Sequence, residues 1–68
     1  MTRRTCEIHA AKRAREDGTP YAVIEYDSAD RRKMAVVRES YLDEPEFGAS
    51  DGRLLTLVQP TGEEERCR

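Results

Sequence analysis

Tryptophan is absent from this chain, which holds one phenylalanine, one histidine and two cysteines in 68 residues. A lone histidine leaves little for nucleophilic catalysis, which needs a nucleophile, a base and an orienting group within hydrogen-bond reach. Four glycines form no phosphate-cradling loop and no nucleophile elbow. These shortages point away from an enzyme, and no cofactor is expected. The cysteines, Cys6 and Cys67, stand near opposite ends and are too few for a disulfide framework. In a reducing compartment they are expected to be free thiols, although a Cys6–Cys67 bond would tie the tail back to the first element. No apolar run approaches the ~18 residues of a membrane span, and no signal-peptide core follows Met1. A soluble, cytoplasmic protein with no membrane partner is expected.

What the chain does have is charge, at 38% of residues, unevenly laid out. Residues 1–33 carry eight Lys/Arg and six Asp/Glu, whereas residues 34–68 carry four and eight. The first half is therefore +2 and the second −4, a bipolar arrangement. The apolar residues are clustered rather than scattered, which argues for one folded domain over 1–62, with 63–68 as a frayed charged tail. A domain of this size buries only about 60% of its unfolded surface and is marginal without further support.

Residues 5–17 predict a helix. The stretch from His9 to Asp17 is rich in helix formers, Thr5 offers an N-cap oxygen, and Gly18 stands where a left-handed cap ends the helix. Cys6, Ala10, Ala11 and Ala14 would be its apolar stripe, with Ile8 off it. A competing reading takes Cys6, Ile8 and Ala10 as alternating residues of a short strand. Residues 21–27 (YAVIEYD) predict a strand, 27–30 a turn, and 32–41 a second strand centred on 34–37. With Asp27 opposite Arg31, Ile24 would face Met34, Ala22 would face Val36 and Glu25 would face Lys33. Asp51-Gly52 signals a turn into a third strand over 53–59, ended by Pro60 and Gly62. The fold expected is α+β: an N-terminal helix packed on a three-stranded antiparallel sheet, α-β-β-β. Near its middle that sheet is apolar on both faces, and one helix covers one face. A homodimer, or residues 39–51 folding over the sheet with Tyr41, Leu42 and Phe47 inward, would cover the other.

Residues 39–51 (ESYLDEPEFGASD) form a long connection with five carboxylates and no cation. The acidic residues Asp43, Glu44, Glu46 and Asp51 do not follow the spacing of a calcium-binding loop. Joined by Tyr41, Leu42 and Phe47 as anchors, they suggest a recognition segment for a protein partner with a basic surface; a solvated acidic loop is the plainer alternative. The basic residues Lys12, Arg13 and Arg15 on the helix, with Arg31, Arg32 and Lys33 at the first hairpin, suggest nucleic-acid binding as a second reading. Interleaved acids and a net charge of −2 weigh against it. Cys6 and His9, at i and i+3, give with Cys67 only three soft ligands, where a structural zinc site takes four; ordinary structural roles are preferred. The chain is thus expected to be a non-enzymatic binding module, an inhibitor or regulator of the kind found among phage and mobile-element accessory proteins.

Overall fold

The computed structural model describes residues 2–66. Helix α1 spans Arg3–Asp17, followed by strands β1 (Tyr21–Ser28) and β2 (Arg31–Arg38). A 3₁₀ turn over Glu39–Asp43 and a short helix α2 (Pro45–Ala49) lead into β3 (Arg53–Val58) and β4 (Glu64–Arg66). All neighbouring strands are antiparallel, in the order β2-β1-β3-β4. The α-β-β-β arrangement expected from the sequence is present. A short fourth strand is added to it where 63–68 reads as tail.

α1 begins earlier than its composition suggests. Thr2, not Thr5, is the N-cap: its hydroxyl accepts a hydrogen bond from the Thr5 amide at 3.2 Å. The helix stops at Gly18, where φ is 68° and the amide donates to the Ala14 carbonyl at 2.8 Å. That left-handed cap is cheap only for a residue without a Cβ. The competing strand reading of the first ten residues is therefore set aside. Cys6, Ala10 and Ala14 are completely buried, and Ala11 packs beside them. These side chains are small, so the helix lies close against Tyr21, Val23 and Val58 of the sheet, with Met34, Val36 and Leu55 at the margin. Ile8, off the stripe, is 57% exposed.

The first hairpin is tighter by one residue than the sequence suggests. Ser28 faces Arg31, so Asp27 faces Arg32, Ile24 faces Ala35 and Val23 faces Val36. Only Ala29 and Asp30 turn the chain, and Ala29 takes φ 55°, as the first residue of a two-residue loop often must. Because side chains alternate, a one-residue shift moves all of β2 to the opposite face. Met34 and Val36 thus lie on the helix side with Tyr21 and Val23, while Ala35 and Val37 lie with Ala22 and Ile24. In β3 the pairing changes between Val23 and Ile24, which face Thr56 and Leu54, leaving Leu55 as the extra residue of a bulge.

β2 and β3 run in the same direction on either side of β1, so residues 39–52 must return along the length of β1. The Glu39 amide donates to the Pro20 carbonyl at one end of β1, and the Asp27 amide donates to the Ser50 carbonyl at the other. With α1 on one face, this crossover takes the opposite face. Ala22 and Ile24, which point away from α1, are only 0% and 2% exposed. The protein has two small cores, one on each side of β1.

Candidate functional site

The crossover separates its side chains by chemistry. Tyr41, Leu42 and Phe47 are half-buried, and the two rings meet edge to face at 6.1 Å with an interplanar angle of 68°. Pro45 opens α2 at a position where its missing amide costs nothing. Ser50 caps the far end, its hydroxyl donating to the Phe47 carbonyl at 3.1 Å, and the Gly52 amide donates to that same carbonyl at 2.9 Å. The expected anchors therefore hold the segment in place and are not fully presented outward. Asp43, Glu44 and Glu46 are exposed, and no cation pairs with them among the described residues. Asp51, also exposed, takes φ 53° and sits 3.5 Å from Arg32.

Arg32 fastens this end of the crossover to the sheet. It donates to Glu25 at 3.0 Å, to Asp27 at 2.9 Å and to the Asp51 carbonyl at 3.0 Å. Its pKa is raised, first by the Asp27 hydrogen bond and then by Glu25. Arg4 is raised by Glu64 and then Glu7, and Arg38 by the Tyr21 hydroxyl. A raised arginine pKa gives stabilisation that is complete below the unfolded value and is lost as pH rises through the folded one. That range lies far above neutrality, so these guanidinium groups remain charged in any ordinary buffer.

The basic residues suggested for nucleic-acid binding do not form one surface. Arg32 is engaged by carboxylates. Lys12 and Arg15 line a groove of about 530 Å³ between α1 and residues 62–64, with Arg4, Ile8 and Ala11. Arg13 lies on the other side of α1, with His9, beside Met34, Ala35 and Val36 of β2. Arg31 and Lys33 flank the hairpin end of β2. Cys6 is wholly buried under α1 while His9 is exposed, so they share no open face; Cys67 lies outside the described residues. No group of three or more His, Cys, Asp or Glu residues suited to a metal occurs among the described residues. None of the described helices is long and apolar enough to cross a membrane.

One cluster went unread in the sequence. Glu7 is 1% exposed and accepts the Thr56 hydroxyl at 2.7 Å, with Arg3 at 3.6 Å and Arg4 at 3.3 Å. Arg3 also donates to the Leu55 carbonyl at 2.5 Å, and Arg4 reaches Glu64 at 2.9 Å. The i, i+3 and i, i+4 spacing of Arg4 and Arg3 to Glu7 was visible in the sequence, but Thr56 is 49 positions away. The cluster joins the first turn of α1 to β3 and β4. No protein-family model, no curated protein and no solved structure matches this chain, so its function has to be argued from these surfaces alone.

Proposed function

We propose that this protein is a non-enzymatic binding module, an inhibitor or regulator, that presents the acidic crossover to a basic surface of a larger protein. The observation carrying this reading is the division of labour along residues 41–47. Tyr41, Leu42 and Phe47 turn inward and fix the backbone, while Asp43, Glu44 and Glu46 remain exposed without a cation. Carboxylates held on a fixed backbone lose little freedom on binding and steer a positively charged partner toward them. The absence of a catalytic constellation in the sequence supports the non-enzymatic part.

A nucleic-acid role through Lys12, Arg13, Arg15 and Arg31–Lys33 is disfavoured, because these cations are split between the two sides of α1 and Arg32 is already engaged. A homodimer has lost the uncovered face that motivated it, since Ala22 and Ile24 are buried within one chain.

Affinity capture from the native host tests the proposal. The wild-type chain is expected to retain a specific basic protein, and the Glu44→Lys/Glu46→Lys variant to lose it. Both substitutions are at exposed positions, so the fold should survive. Retention of the same partner by the double variant would reduce the crossover to a solubilising cover.

A further inference from the structure

β2 is an edge strand eight residues long, and no described element pairs with its outer side. Half of its backbone donors and acceptors therefore point away from β1, a ready template for another extended chain. Beside it runs a groove of about 440 Å³ between β2 and α1. Met34 and Val36 form the apolar floor, and His9 and Arg13 of the helix stand over it. Arg31 and Lys33 project on the opposite face of the same strand. Arg13, Arg31 and Lys33 have no carboxylate partner among the described residues, in contrast to Arg32 and Arg38, which do.

We infer that the β2 edge and its groove form a second docking surface that takes an extended acidic peptide segment as an added strand. The backbone edge supplies the hydrogen bonds, as in other strand-addition modes. Side chains of the added strand alternate between the two faces. On one they meet Met34, Val36 and Arg13, and on the other Lys33 and Arg31, so a segment mixing branched apolar residues with carboxylates matches both. Three unpartnered cations around an open strand set the sign of the occupant. A second copy of the chain is a poor match, because it offers the same cationic edge and like charges would meet along the seam. Nucleic acid is also a poor match, since it gains nothing from backbone groups arranged for a strand. The inference concerns a surface distinct from the acidic crossover and does not depend on the function proposed for it.

The test uses the full chain and an N-acetylated, C-amidated peptide of alternating glutamate and valine, followed by amide NMR and hydrogen exchange. Saturable binding is expected, with shifts confined to β2 and the facing side of α1, and with the outward amides of β2 exchanging at least about tenfold more slowly when bound. The Arg13→Glu/Lys33→Glu variant, whose fold is checked by circular dichroism, should bind at least about tenfold more weakly. Glu44→Lys/Glu46→Lys should leave this binding unchanged. A control peptide whose central six residues are consecutive prolines has no amide there to donate to the edge and should not bind. The inference is overturned by any of four results: no saturation by about 1 mM; equal binding of the proline peptide; tighter binding of a single-stranded oligonucleotide to the same edge; or light scattering that shows the free protein already paired through β2.

Discussion

Glu7 is the residue on which the first turn of α1 depends. A carboxylate this deeply buried has to be satisfied by partners, among them the Thr56 hydroxyl and two arginines. Glu7→Ala is expected to cost about 1–3 kcal/mol in chemical denaturation, because it leaves the buried Thr56 hydroxyl proton without its acceptor, Arg3 still donating to the same oxygen at 3.0 Å, while the arginines can still reach water. Glu7→Gln, which keeps the acceptor and loses the charge, should cost less. Gly52 is constrained in a different way. A Cβ there would overlap the Phe47 ring and its carbonyl oxygen, so Gly52→Ala should cost about 1–3 kcal/mol through forced displacement, read as a lowered melting temperature. Composition could reveal neither. Glu7 looks like one more solvated helix charge until Thr56 is placed against it, and Gly52 reads as an ordinary turn residue. The left-handed stop at Gly18 was legible because the sequence alone names the residue that such a cap needs.

The elements differ in how plainly they announce themselves. α1, β1, β2 and β3 are long enough for composition and alternation to register. The 3₁₀ turn and α2, at five residues each, carry no period to detect. The register of the first hairpin escaped for a specific reason: 27–30 contains Asp and Ser, both at home in turns, whereas the residue with positive φ is Ala29, which gives no such signal. Alanine is strained there, and Ala29→Gly should therefore stabilise the protein by about 0.5–1 kcal/mol without changing the pairing of Ser28 with Arg31. Denaturation together with cross-strand nuclear Overhauser effects would check both halves of that statement. The acidic crossover was legible as a candidate surface from its carboxylates. Its inward aromatic residues were legible only as one of two alternatives, because the same Phe47 serves equally well as an anchor for a partner or as a peg on the sheet.

At the scale of the whole molecule, the thin second core decides whether the chain stands alone. Ile24, on the face away from α1, is 2% exposed, so Ile24→Val should cost about 0.5–1.5 kcal/mol and Ile24→Ala about 2–5 kcal/mol. A surface-like response to both would mean that the crossover does not seal that face. The wild-type protein should scatter light as a monomer of 7.8 kDa at tens of micromolar. The path of the crossover also imposes an order of events on folding. β1 can join β2 through two turn residues, on the microsecond scale of an isolated hairpin. Its pairing with β3 must wait until residues 39–52 have been laid back along it, an entropically slower closure. During that interval β1 has a second open edge, with Ala22 and Ile24 uncovered. The nascent chain is then at its most adhesive, and the acidic segment that will later bury this stretch is already attached beside it, a tethered source of like-charge repulsion between neighbouring unfinished molecules.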